Sequence, residues 1–179
     1  MIKFAEVRYL KPIRVNLKFM FHTLTLSVDK DNKKTMKSDK LIRICVIDGQ
    51  GGGIGSTIIR KLKDRFGEGI EVMALGTNAI ATAQMLKSRA NRGASGVNAI
   101  VQTVKGADFI IGTVGIIMPH AMMGELTLEM AEAIAQSPAK KLLLPLTQEN
   151  LAIVGLSSTP LPQLVDDLID RYENDFQPN

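Results

Sequence analysis

The run Asp48-Gly49-Gln50-Gly51-Gly52-Gly53-Ile54-Gly55-Ser56-Thr57 carries the densest chemical signal in the chain. An ordered glycine gives up more backbone entropy than any other residue, so five in seven positions require a reason. One reason is a backbone that turns tightly and comes close to a ligand. The plain alternative is a tight turn that lets a helix pack on its sheet. The run lies between an apolar strand and a helical periodicity, so it feeds a helix N-terminus. Unpaired N–H groups and the positive dipole end suit a phosphate or carboxylate there. On the ligand reading, Gly49, Gln50, Gly51, Gly52, Gly53, Ile54 and Gly55 present backbone amides, and Ser56 and Thr57 add hydroxyl donors. Asp48 would bind magnesium, accept a ligand hydroxyl, or hydrogen-bond the glycine loop itself.

The spacing narrows the class of loop. Strict G-x-G-x-x-G fails, because Gly49 and Gly51 would require glycine where Ile54 stands. G-x-x-x-G-x-G fits through Gly49, Gly53 and Gly55 and resembles the dinucleotide loop of short-chain dehydrogenases. Asp48 stands where that family has Thr, however, and no Tyr-x-x-x-Lys pair is present. The second strand ends in Gly76-Thr77-Asn78, with no acidic residue for an adenosine ribose. Gly51 to Thr57 also looks like the deviant Walker motif K-G-G-x-G-K-T without either lysine. In a P-loop the lysine neutralises the β- and γ-phosphates, so fast hydrolysis is not expected here, whereas binding is. The cofactor class expected is a nucleotide or dinucleotide.

In an open α/β sheet, ligands bind outside the carboxyl ends of the strands. Gly76-Thr77-Asn78, Gly112-Thr113-Val114-Gly115 and Thr147-Gln148-Glu149-Asn150 fall at such ends. Thr77, Asn78, Thr113 and Gln148 are therefore expected to orient the rest of a phosphorylated ligand. Each alone is equally an ordinary turn or helix cap. With Asp48, the candidates for general acid or base are His120 and Glu125, in or just after the apolar loop Val114 to Gly124. A surface histidine in a mobile segment is the plain alternative. Arg92 would meet a phosphate or simply end a helix in solvent. Cys45 lies inside a strand and is the only cysteine, and there are two histidines, so no metal site is expected.

The elements that must hold these residues alternate. Leu41 to Asp48 is a β-branched apolar run stopped by glycines, the pattern of a buried parallel strand. Ile58, Ile59, Leu62 and Phe66 then recur at helical spacing, with Arg60, Lys61, Lys63 and Asp64 on the other face. Glu71 to Leu75 reads as a second strand, Ala79 to Ala90 as an Ala-rich helix, and Asn91 to Gly96 as a loop. Asn98 is expected to cap a short helix through Val104. Further strands are expected at Asp108 to Ile111, at Lys141 to Leu144 and, as an edge, at Ala152 to Val154. Helices are expected from Thr127 to Gln136 and from Leu161 to Tyr172. This alternation predicts a three-layer α/β/α sandwich on a mostly parallel, Rossmann-like or flavodoxin-like sheet, with strand order 2-1-3-4-5. The apolar segment 114–123, with its methionines, predicts a lid or a homo-oligomer contact, the plain alternative being a buried connection.

Charge separates the ends of the chain. Residues 1–40 hold 10 Lys/Arg and 4 Asp/Glu, and residues 41–179 hold 12 and 14. The pI of about 9.2 thus belongs to the first segment and gives no ground for expecting nucleic-acid binding. That segment has no glycine and ends in a lysine-rich linker. Three readings of residues 1–35 stay open. Met36 is the natural start and the rest an appended extension; or they form a β-hairpin arm of Val15–Phe19 and Thr23–Leu26; or they are a targeting or nucleic-acid arm. Domain limits expected are 1–40 for the extension or linker, 41–175 for the α/β domain and 176–179 for a tail. The longest apolar run, Phe109 to Gly124, is broken by Pro119, His120 and glycines, so it falls short of the roughly 20 residues of a spanning helix. A cytoplasmic protein that neither spans nor binds membranes is expected.

Taken together, the strings IDGQGGGIG, ALGTNAIATAQMLK, ANRGASG-NAI, IIG-VGII-P, MMGELT-EMAEAIAQSPAKK-LLPL and IVGL resemble a bacterial family of short proteins, the domain of unknown function numbered 3842. The resemblance runs from Leu41 to Leu168. It implies a small bacterial cytoplasmic protein and transfers no activity or site residue.

Overall fold

Ile42–Asp48 forms β1, and its β-branched side chains are buried on both faces from Ile44 onward. A strand apolar on both sides must lie inside a sheet covered by helices twice over. The structure, a computed structural model, describes residues 41–146, 151–156 and 158–177. After β1 come α1 (Gly53–Phe66), β2 (Ile70–Gly76), α2 (Ala79–Lys87), β3 (Arg92–Ser95) and α3 (Val97–Thr103). Then follow β4 (Phe109–Thr113), α4 (Leu128–Gln136), β5 (Lys140–Leu144) and α5 (Leu161–Tyr172).

The five strands are all parallel, in the order β3-β2-β1-β4-β5. The three-layer α/β/α expectation holds, and the first four expected strands lie in the expected order, here β2-β1-β4-β5; the addition of β3 beside β2 makes the whole order the Rossmann one. Two assignments are corrected. Arg92–Ser95 was expected to be a loop, yet it pairs with Met73–Gly76 as an outer strand. Ala152 to Val154 is not a strand; Val154 is 98% exposed, which a sheet position would not leave. The chain therefore turns back across the sheet between β3 and β4, and the switch point falls between β1 and β4.

Alternation along β1 sorts the core into two layers. Ile44 and Val46 face α1 and α5 through Ile58, Ile59, Leu62, Val165 and Ile169. Cys45 and Ile47 face α3 and α4 through Ile100, Met130 and Ile134. Lys63, expected on the solvent side of α1, is buried instead. Its Nζ donates to the carbonyls of Gly67 at 3.0 Å and Ile70 at 3.4 Å, so it serves carbonyls just beyond the helix end. Phe176, placed in the expected tail, is fully buried and meets Phe66 and Phe109 edge-on at 5.6 and 5.0 Å. The two outer strands among the described residues carry charge, Arg92 on β3 and Lys140 and Lys141 on β5. No helix among the described residues is long and apolar enough to cross a membrane.

Candidate functional site

Asp48 ends β1 with its carboxylate buried under the glycine loop. One oxygen accepts from the Gly49 N–H at 2.9 Å and the other from the Gly55 N–H at 2.7 Å. Gly55 is the third residue of α1, and Gly52 at its N-cap offers no side chain. Asp48 thus supplies, from the strand below, the cap that the helix lacks. Burial pushes its carboxyl above the ordinary value, against the opposing pull of these backbone donors. The internal hydrogen bond to the loop, one of the roles expected for Asp48, is present.

The five glycines separate by what lies beside them. A Cβ on Gly49 would come within 2.6 Å of the Met122 sulfur and the Thr77 hydroxyl. One on Gly52, which has φ 70°, would strike the Ala81 carbonyl of α2 at 2.6 Å. One on Gly55 would strike Met85 and lie 2.9 Å from Asp48 Cβ. Those three are glycine because the protein packs there. Gly51 and Gly53 differ: both are exposed, neither has a positive φ, and nothing among the described residues lies within 4 Å of the space a Cβ would fill.

Glu125 reaches this loop from the far side of β1. Its Oε2 accepts from the Thr77 hydroxyl at 2.5 Å, the Gln50 N–H at 2.8 Å and Asn78 Nδ2 at 2.8 Å. These donors hold its carboxyl below the ordinary value although burial pulls the other way. Asn78 has a double task. Its Oδ1 caps α2 by accepting from the Ala81 N–H, while Nδ2 also donates to the Gln50 carbonyl at 3.1 Å. The carboxylate missing from the end of β2 in the sequence is thus delivered there from the loop after β4.

That loop is unusual in its backbone. His120, Met122 and Met123 have φ of 66°, 58° and 58°, in the left-handed region that side chains other than glycine rarely adopt. The turns are tied by His120 N–H to the Leu126 carbonyl, Leu126 N–H to the Ala121 carbonyl and Gly124 N–H to the His120 carbonyl. Met122 is buried against Gly49, and Met123 at the tip is 93% exposed. The His120 side chain is exposed and enters no hydrogen bond among the described residues.

Of the remaining expected site residues, Thr113 stands out. The β1–β4 register, carried on by two residues, sets it beside Asp48, and alternation puts both on the α1 face. It is 4% exposed, and its hydroxyl has no hydrogen-bond partner among the described residues. Ser56 and Thr57 donate instead to the Gly52 and Gly53 carbonyls at 2.6 and 3.0 Å, so their hydroxyls turn into the helix. Gln148 lies outside the described residues. Asn98 is the second residue of α3 and caps nothing, because Gly96 with φ 89° holds that position. Arg92 sits on exposed β3 with Glu71 3.6 Å away. No group of three His, Cys, Asp or Glu among the described residues is arranged to hold a metal. A 320 Å³ groove between α3 and α4, lined by Val101, Lys105, Glu132 and Pro138, lies away from all of these residues.

The sequence singled out Gln50, Thr77, Asn78 and Glu125 but not their meeting, and it missed the role of Met122 altogether. No local pattern marks a methionine that must take a left-handed backbone.

Comparisons with known proteins bear on the family alone. The family described as "Domain of unknown function (DUF3842)" matches residues 43–177, so the chain belongs to it. Among curated proteins nothing matches. A solved universal stress protein in complex with cAMP aligns over 56% of this chain and 94% of its own, at 18% identity and a TM-score of 0.34.

Proposed function

We propose that this member of the DUF3842 family binds a nucleotide or another phosphorylated small molecule at the carboxyl edge of β1. The phosphate lies against the exposed backbone of Gly51 and Gly53, where the glycine loop enters α1. The observation that carries this reading is the pair of glycines without an internal reason. Neither the backbone angles nor the packing of the described residues asks for glycine at 51 or 53, while close approach by a ligand does. The unpartnered Thr113 hydroxyl on the same face of the sheet edge supports it, since a buried polar group without a partner is costly and rare.

The test is thermal shift on the full chain with NAD(H), NADP(H), ATP, GTP, UDP-sugars and inorganic phosphate, with and without magnesium. A ligand at 100 times its dissociation constant adds about 2.7 kcal/mol. For a chain of this size that is a rise of roughly 5–10 °C. Gly53→Val and Gly51→Ala are expected to fold as well as the parent and to lose the shift. A folded parent that none of these compounds shifts sinks the reading.

A second reading, a non-catalytic sensor or scaffold, is favoured by the left-handed loop at 120–124 that touches the glycine loop. In it, ligand binding changes how residues 114–123, with exposed Ile117 and Met123, contact a second copy or another protein. Light scattering with and without ligand separates the two, because only the sensor changes mass.

A further inference from the structure

The donor set around Glu125 has the composition of an anion site with an anion already in it. We propose that the Gln50 N–H, the Thr77 hydroxyl and the Asn78 amide form an anion subsite of the phosphate site. In that proposal Glu125 Oε2 is its intramolecular occupant, which a ligand phosphate oxygen displaces, releasing the loop 118–126. The proposal rests on the phosphate-binding reading above and assigns that reading a second set of contacts and a moving part.

Three observations carry it. The donors come from three places: the glycine loop, the end of β2 and the N-cap of α2. They converge on one carboxylate oxygen within 2.8 Å. Gln50 is the only non-glycine of the loop in the left-handed region, with φ 50°, and its N–H is one of the converging donors. A carboxylate and a phosphate oxygen are acceptors of the same kind and charge, so the two compete for one position. The donors also adjoin Gly51, so a phosphate lying along the exposed glycine backbone would come next to them.

The occupant is held by a strained segment. His120, Met122 and Met123 all keep left-handed backbones, and such strain persists only where the surroundings enforce it. Among the contacts that tie this segment to the glycine loop are the Glu125 bonds and the seating of Met122 on Gly49.

The experiment uses the full chain as parent, Glu125→Ala and Glu125→Gln, with inorganic pyrophosphate and ATP as probes. Affinity is measured by calorimetry, and hydrogen exchange is followed over residues 118–126. Glu125→Ala should speed exchange in that loop without ligand and bind the probes at least tenfold more tightly than the parent. ATP should speed the same amides in the parent. Glu125→Gln keeps the shape and loses the charge, and it should also bind more tightly; it keeps the test open if the alanine variant does not fold. Weaker binding by either variant overturns the proposal and makes Glu125 a ligand contact. Probe binding by the parent with unchanged affinity in both variants overturns the displacement alone. Failure of both probes to bind any of the three proteins removes the phosphate reading and this proposal with it.

Discussion

Two buried groups show how far environment outweighs residue type. Cys45 lies on β1 with no exposure, and burial pushes its thiol up to about 12. At pH 8 about one molecule in 10⁴ carries the thiolate, the form that reacts with alkylating reagents. The native protein should therefore resist iodoacetamide and be labelled only as it unfolds, which intact-mass measurement across a urea series would show. Asp48 uses its two oxygens on two different backbone donors. Asp48→Asn turns an NH₂ toward one of those N–H groups, leaving a buried donor unpaired at about 1–3 kcal/mol. The pH dependence has opposite signs at the two carboxylates. Asp48, raised when folded, adds stability that is full below its unfolded pKa and is lost as pH rises through its folded value. Glu125, lowered when folded, adds stability present above its unfolded pKa and lost as pH falls through its folded value. Denaturant titrations of Asp48→Asn and Glu125→Gln between pH 3 and 8 should each lose the corresponding slope. A parent-like slope in either variant counts against its assignment.

Among the elements, legibility followed local chemistry. β1 and α5 were readable because their apolar residues repeat at the strand and helix periods without interruption. The Thr127 cap was readable because its hydroxyl accepts from the N–H of Met130 only three residues on, a bond local in sequence. β3 was not, since Arg-Gly-Ala-Ser holds no strand former; it is extended because β2 offers it a row of unpaired backbone groups. Ala152 to Val154 misled for the converse reason, having strand-forming residues and no strand beside them among the described residues. The glycine loop was legible as a loop, while the division of labour among its glycines needed the positions of Met122, Ala81 and Met85. That division predicts a contrast. Gly49→Ala should destabilise by about 1–3 kcal/mol through crowding against Met122 and Thr77. Gly53→Ala should be neutral or stabilising by about 0.4–1 kcal/mol, since its site is open and helical. Equal losses in urea denaturation would remove the distinction on which the proposed site rests.

For the whole molecule, the chain reversal between β3 and β4 brings Thr113 and Glu125 to the same sheet edge as Asp48 and Thr77. Sequence distance hid this: Glu125 meets Gln50 across 75 residues, and only the strand order makes them neighbours. The same order leaves β3 and β5 outermost among the described residues, and an outer strand offers a row of free backbone groups to any other chain. β5 is the longer of the two and contains Leu142 to Leu144 in sequence, yet it opens with Lys140 and Lys141. Lys140 is tied to Asp175 at 2.9 Å and sits 4.4 Å over the Tyr172 ring, which fixes a charge beside the strand. These lysines act as guards against edge-to-edge growth. Replacing both with valine should make the protein form fibrils as its concentration rises, which light scattering against the parent would show.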